Sequence, residues 1–199
     1  MSTVTVRLFG RFGVWCDERA SSGLGARRAR EVLSYLLLHP DRPHRREKLA
    51  DLLWEDTPLA QARKCLRQAL WQIQAALQRA HDGDGTFPLE VDPEWIQLHS
   101  CNRLQVDVRR FQAAIHCCHG VAGPQLDALQ RQTLDEAVQL YRGDLLEGWE
   151  QDWCLAERER LQNALLDALD KLVAACVARH DCERGLAYAR RMLLADPAR

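Results

Sequence analysis

Three stretches decide the fold of this chain: Ala26-Arg27-Arg28-Ala29-Arg30-Glu31-Val32-Leu33-Ser34-Tyr35-Leu36-Leu37-Leu38-His39-Pro40, then Arg46-Glu47-Lys48-Leu49-Ala50-Asp51-Leu52-Leu53-Trp54, then Thr57-Pro58-Leu59-Ala60-Gln61-Ala62-Arg63-Lys64-Cys65-Leu66-Arg67-Gln68-Ala69-Leu70-Trp71-Gln72-Ile73-Gln74-Ala75-Ala76-Leu77. In the first, Ala29, Val32, Leu33, Leu36 and Leu37 recur at helical spacing and predict a helix over about Ala26–His39, which Pro40 and Pro43 stop. The second predicts a short helix over Arg46–Trp54 that buries Leu49, Leu52, Leu53 and Trp54. The third predicts a helix over about 58–80, capped by Thr57 with Pro58 at its first position; Ala62, Leu66, Ala69, Leu70, Ile73 and Leu77 form its inner stripe and His81-Asp82-Gly83-Asp84-Gly85 its end.

Working outward, Thr3–Leu8 alternates apolar and polar residues as a strand does, Gly10 and Gly13 interrupt it, and Val14-Trp15-Cys16 resumes it. Ser21-Ser22-Gly23-Leu24-Gly25 reads as a loop. Leu89–Val91 and Trp95–Leu98 read as a hairpin around Asp92-Pro93-Glu94. Strands, three helices, then a hairpin is the plan of a winged helix-turn-helix over residues 1–100. From 106 to 199 the spacing is helical throughout: Val106–His119, Gln125–Leu140, Asp152–His180 with one internal break, and Cys182–Ala195. Such antiparallel helix pairs with short turns predict a tetratricopeptide-like domain; counting back 34 residues from Pro197 puts Gly185 where that repeat takes a small residue. The fold class expected is mainly α with small β-sheet elements, a winged helix followed by an all-α domain.

A chain of 199 residues, 47% hydrophobic and 28% charged, has material for two packed domains and no composition of disorder. No apolar run reaches the roughly 18 residues of a membrane helix, so a soluble, cytoplasmic protein is expected. The eight cysteines stand mostly inside helical patterns without a Cys-x-x-Cys pair, which suits free thiols in a reducing compartment. The net charge of −1 divides into +2 over residues 1–104 and −3 over the remainder. The local contrast is larger: no acid occurs from Thr57 to His81, where Arg63, Lys64, Arg67 and Arg79 stand.

Those residues predict chemistry. A helix that reads DNA buries one face and offers long polar side chains on the other. With the inner stripe packed inward, the third helix presents Arg63, Lys64, Arg67, Gln68, Trp71, Gln72, Gln74 and Gln78 outward. Arg67 has the donors to bridge guanine O6 and N7, and Gln68 those to pair with adenine. Arg27, Arg28 and Arg30 open the first helix, and Arg42, His44, Arg45 and Arg46 fill the turn into the second. Both groups lie near helix N-termini, where backbone N–H groups favour phosphate. The expected DNA-facing set is Arg63, Lys64, Arg67, Gln68 and Gln72, with Arg27, Arg28, Arg45 and Arg46 on the backbone.

Other constellations give less. His116-Cys117-Cys118-His119, on a helix, sends its cysteines apart and does not make a tetrahedral metal site; Asp82–Gly85 is too short for a calcium loop. No Gly-x-x-x-x-Gly-Lys-Ser/Thr loop and no Gly-x-Ser-x-Gly elbow occurs, and no enzyme, cofactor or metal is expected. Trp149 and Trp153, four apart on one helical face beside Leu145 and Leu146, read as core packing between helices, with a partner or dimer surface as the alternative.

The string Arg28–Pro40, with Arg46–Trp54 after it, resembles the DNA-binding domain of the Streptomyces antibiotic regulatory protein (SARP) family, which is of OmpR/PhoB winged-helix type. Val106-Asp107-Val108-Arg109-Arg110-Phe111 and Tyr141-Arg142-Gly143-Asp144-Leu145-Leu146 are similar to the bacterial transcriptional activator domain that follows it in that family. The resemblance spans nearly the whole chain. It implies an activator that binds double-stranded DNA and contacts RNA polymerase, with the helical domain serving dimerisation or regulation. Two departures stand out: Ile73-Gln74-Ala75 occupies the place where the family's third helix usually continues Leu-Arg-Arg, and the wing turn Asp92-Pro93-Glu94 is acidic. These, with the near-neutral charge and the stop at Asp196-Pro197-Ala198-Arg199, support the rival expectation of a protein-interaction module, part of something longer, that docks a partner or a following effector domain.

Overall fold

The computed structural model describes residues 3–17, 19–20, 24–79, 88–101 and 103–196. The helix end read at His81–Gly85, the loop residues Ser21–Gly23 and the repeat-closing Pro197 lie outside them. The chain forms two compact units, one of residues 1–6 and 13–106, the other of residues 7–12 and 107–199.

In the first unit, β1 (Val4–Arg7), β2 (Gly13–Cys16) and β3 (Arg19–Ala20) belong to a four-stranded sheet of order β3-β2-β1-β7. The last of these, β7 (Leu104–Val106), has only three residues and no anticipated strand signature. It runs parallel to β1, with Val4 opposite Leu104 and Val6 opposite Val106. Three helices follow the sheet: α1 (Arg27–Leu38), α2 (Arg46–Leu53) and α3 (Leu59–Arg79). Ala29, Val32, Leu33, Leu36 and Leu37 of α1 are all buried, as are Ala62, Leu66, Ala69, Leu70, Ile73 and Leu77 of α3. α1 and α2 both pack against α3, which is the central element of the unit. At roughly 2 kcal/mol for each fully buried large aliphatic side chain, this stripe is what holds α3 in place.

Leu52 of α2 is 42% exposed, not buried, because an eight-residue helix packs one narrow face, here Leu49, Ala50 and Leu53, with Trp54 following. Pro58, not Thr57, sits at the cap of α3: the amide of Ala62 donates to the Pro58 carbonyl at 3.0 Å, the first bond of the helical ladder.

β5 (Leu89–Val91) and β6 (Trp95–Leu98) form the wing hairpin, with Leu89 opposite Leu98. A third strand, β4 (His44–Arg45), joins it on the far side of β6, giving the order β4-β6-β5. The turn into α2 is thereby a strand of the wing.

The second unit is helical: α4 (Asp107–Cys117), a 3₁₀ turn over Gly123–Gln125, α5 (Ala128–Leu140), α6 (Asp152–Ala178) and α7 (Cys182–Ala195). α6 is one continuous helix of 27 residues, so the internal break expected in it is absent; Asp152–Ala178 contains neither Gly nor Pro to make one. α5 begins with a capping box in which Asp127 accepts from the Gln130 amide and the Gln130 side chain accepts from the Asp127 amide. Gly123 is required where the 3₁₀ turn meets α6, since a Cβ there would lie 2.4 Å from the Lys171 carbonyl oxygen. Trp149 precedes α6 and does not share a helical face with Trp153. The two rings still meet edge to face at 6.4 Å, and Phe12 stacks on Trp149 at 6.3 Å.

Residues 7–12 supply the second unit with an extended segment. Leu8 accepts from the Leu146 amide, Gly10 donates to Asp144 and accepts from Glu147, and Gly10 takes a φ of +80° that glycine alone adopts without strain. Phe9 packs against Phe111 at 5.4 Å and Tyr141 at 4.4 Å. All eight cysteines are free thiols, and burial raises the pKa of Cys118, Cys154 and Cys176. Among the described residues no helix is long and apolar enough to cross a membrane.

Candidate nucleic-acid interface

The outward face of α3 is the converse of its buried stripe. Lys64 and Trp71, two turns apart, lie diametrically opposite the fully buried Ile73. Around them Arg63, Arg67 and Gln68 are exposed and Gln72 is half-buried. All five expected readers of this helix therefore stand on a face without a carboxylate of its own, with Gln72 toward its edge.

Arg63 and Arg67 lean toward the N-terminus of α2. There they line a cleft of about 610 Å³ with Arg46, Glu47, Ala60, Leu66 and Pro93. Arg63 is ion-paired with Glu47, which neutralises the acid among the lining residues. Arg46 is fixed by two contacts with the wing turn: its amide donates to the Glu94 carbonyl at 2.9 Å, and its guanidinium donates to the Asp92 carbonyl at 2.8 Å. Burial, and then the nearby positive charge of Arg67, lower the pKa of Arg46. Arg46 and Arg67 thus line one cleft whose acid, Glu47, is already paired with Arg63, which leaves the cleft with a surplus of positive charge.

The strand β4 brings Arg45 opposite Trp95, and the Arg45 guanidinium lies over the Trp95 ring at 5.1 Å. Arg45 and Arg46 are thus attached to the wing itself. The acidic turn residues Asp92 and Glu94 are exposed beside them, so cations flank the wing that sequence alone leaves acidic.

Arg27 and Arg28 stand differently from the expectation of backbone anchors with free guanidiniums. Both are tied to Glu31, whose side chain is 1% exposed: Arg27 Nε donates at 3.1 Å and Arg28 at 2.7 Å. Arg28 also donates to the Leu53 carbonyl and lies over Trp54 at 5.8 Å. Their first task is to satisfy a buried carboxylate, and their exposed edges remain turned to solvent. Glu31 was missed, although its spacing of three and four residues from the arginines was readable.

His44 was noted as part of the basic turn, but it is a buried strand residue. It pairs with Ile96 on β6, its Nε2 lies 3.3 Å from the His39 carbonyl, and Tyr35 meets its ring edge to face at 5.3 Å. Burial lowers its pKa below the ordinary 6.5, with Arg42 adding to that and the His39 carbonyl opposing it. A depressed folded pKa gives stability that is present above about 6.5 and lost as pH falls through the folded value. Urea unfolding of the chain at pH 7.5 and 5.5 is therefore expected to show a weaker first unit at the lower pH, and His44→Phe is expected to flatten that difference. An unchanged pH difference in His44→Phe would assign it to other groups.

In the second unit the residues that carried the family resemblance have structural work. Asp107 is buried and accepts the amides of Leu8, Phe9 and Val108 at 2.8–3.1 Å. Tyr141 stacks on Phe9, Leu145 and Leu146 are fully buried, and Arg158 holds their loop by donating to the carbonyls of Leu145, Leu146 and Trp149. Residues 106–199 match the family described as BTAD: Bacterial transcriptional activator domain. No curated protein matches the chain. Among solved structures, it is similar to one described as "Mycobacterium tuberculosis EmbR in complex with low affinity phosphopeptide", at 19% identity and a TM-score of 0.63. That likeness covers 98% of this chain and 61% of the other, so the chain spans about three fifths of that protein's length. That likeness shows the fold alone: a unit of small sheets and three helices followed by a helical unit, the second of which matches the activator-domain family.

Proposed function

We propose that the chain is a DNA-binding transcriptional activator, with residues 1–100 as the binding domain and α3 as the helix that enters the major groove. One observation carries this reading: Arg46, fixed on the wing turn, and Arg67 line one cleft at the edge of an acid-free helix face, near enough for the charge of Arg67 to act on Arg46. Like charges so placed are stabilised by a shared anion, and a backbone phosphate at the N-terminus of α2 supplies it. Arg63 and Arg45 flank that phosphate, Lys64, Gln68 and Gln72 reach base edges, and Arg27 and Arg28 meet a neighbouring phosphate with the donors Glu31 leaves open. The activator domain at 106–199, with helix pairs of tetratricopeptide-like kind, serves a homodimer or a contact to RNA polymerase in the cytoplasm.

The test is binding of the whole chain to random-sequence duplex at about 50 and 200 mM salt. With three or four phosphate contacts the affinity is expected to fall about 40-fold to 150-fold across that range. Selection from the random pool is then expected to enrich one motif. The exposed acidic residues Asp92 and Glu94 favour a second reading, a winged helix that docks a protein. Absence of salt-sensitive duplex binding at any protein concentration would leave only that one.

A further inference from the structure

Trp71 is 67% exposed, although a tryptophan gains much from burial, and it sits at the centre of the outward face of α3. Its neighbours on that face are Lys64, Arg67 and Gln68 before it and the small Ala75 one turn after it, which leaves the indole room to project. No Asp or Glu occurs anywhere in α3, so what covers the ring is approached through cationic and amide side chains. That combination, a broad apolar plate in a positive surround, complements a surface that is negatively charged at its edges and offers apolar patches between its polar groups. The major groove is such a surface, because each thymine places a C5-methyl group there between the phosphate rows.

We infer that Trp71 reads a thymine methyl, making it a specificity-determining residue of the interface. This rests on the DNA-binding reading and deepens it. Gln68 and Trp71 are separated by a rise of about 4.5 Å along the helix, between one and two base-pair steps of about 3.4 Å each. The thymine therefore lies within about two steps of the base pair that Gln68 faces. The indole contributes its face to the methyl, whereas Lys64 and Gln68 supply polar contacts on the same side of the helix.

The experiment replaces thymine by deoxyuridine, which lacks only that methyl, at each position of the duplex selected by the whole chain. Fluorescence anisotropy then gives the affinity of the parent protein and of Trp71→Ala. One replacement is expected to weaken the parent about fourfold, the transfer value of one methyl-sized group, and to leave Trp71→Ala unaffected. Trp71→Leu, which keeps an apolar side chain, is expected to retain part of the effect. A parent insensitive to every replacement overturns the inference, and so does an equal penalty in Trp71→Ala. If Trp71→Ala binds DNA with unchanged affinity and sequence preference, the indole serves a protein partner instead. Absence of any salt-sensitive duplex binding overturns the DNA reading itself, whereas binding without a methyl effect overturns this inference alone.

Discussion

Replacing Arg46 by alanine is expected to weaken DNA binding about tenfold at moderate salt, equally for all sequences, and to reduce the salt slope by about 0.9. The same is expected of Arg67→Ala, and the double substitution is expected to lower the slope by nearly two and affinity by about 100-fold. The reason is the cleft. The Asp92 carbonyl and the Glu94 carbonyl hold Arg46 in place, and Arg67 raises the positive potential on it. Arg46 does not have to be ordered when the phosphate arrives, so little of its side-chain entropy opposes the contact. Anisotropy titrations over a range of salt give the slope directly. If Arg67 instead bridges a guanine, Arg67→Ala leaves the slope nearly unchanged and relaxes selection at one base pair. Unaltered binding by the double variant would remove the cleft from the interface. Glu47→Ala offers a control of opposite sign: freeing Arg63 from its partner is expected to strengthen binding modestly and to increase its salt dependence.

The residues that sequence made legible are those on long helix faces whose apolar spacing repeats. α1 and α3 span three or more turns, so their buried stripes repeat often enough to fix which face packs inward. α2 has two turns, and periodicity over eight residues cannot separate Leu52 from Leu49 and Leu53. The wing is a similar case. A strand of two residues has no alternation to detect, and so β4 was read only as a basic turn. That omission made the acidic Asp92–Glu94 turn look electrostatically wrong for DNA, because the strand pairing that seats Arg45 and Arg46 beside it is a long-range fact. Arg27 and Arg28 were overread for the opposite reason. Basic residues at a helix start suggest phosphate until the buried Glu31 one turn on is counted as their partner. The continuity of α6 follows from the absence of helix breakers, a signal present in the sequence and outweighed there by the length of the run.

Substitution of Asp107 by alanine is expected to cost the second unit about 3 kcal/mol of stability. Asp107 lies beyond the reach of any local pattern, for its partners Leu8 and Phe9 are separated from it by 99 and 98 residues. Its two carboxylate oxygens accept three backbone amides in a buried setting, and removing them leaves the Leu8 and Phe9 donors without that acceptor. Those donors belong to the extended segment that brings Phe9 onto Phe111 and Tyr141, so the aromatic packing weakens with them. Asp107→Asn keeps one acceptor oxygen and is expected to lose only about 1 kcal/mol. Burial raises the pKa of Asp107 above the ordinary 3.8, against the pull of the amides and of Arg142. A raised folded pKa means that the group's titration favours the fold most below about 3.8 and that this part declines as pH rises through the folded value. Asp107→Asn cannot titrate, so its penalty relative to the parent is expected to be larger at low pH than at neutral pH. Urea unfolding at pH 4 and pH 7, followed by the tryptophan fluorescence to which Trp149 and Trp153 of this unit contribute, measures both effects. A loss under 0.5 kcal/mol for Asp107→Ala, well inside what one unpaired buried amide costs, would mean that water takes over the amides and that Asp107 does not anchor the segment.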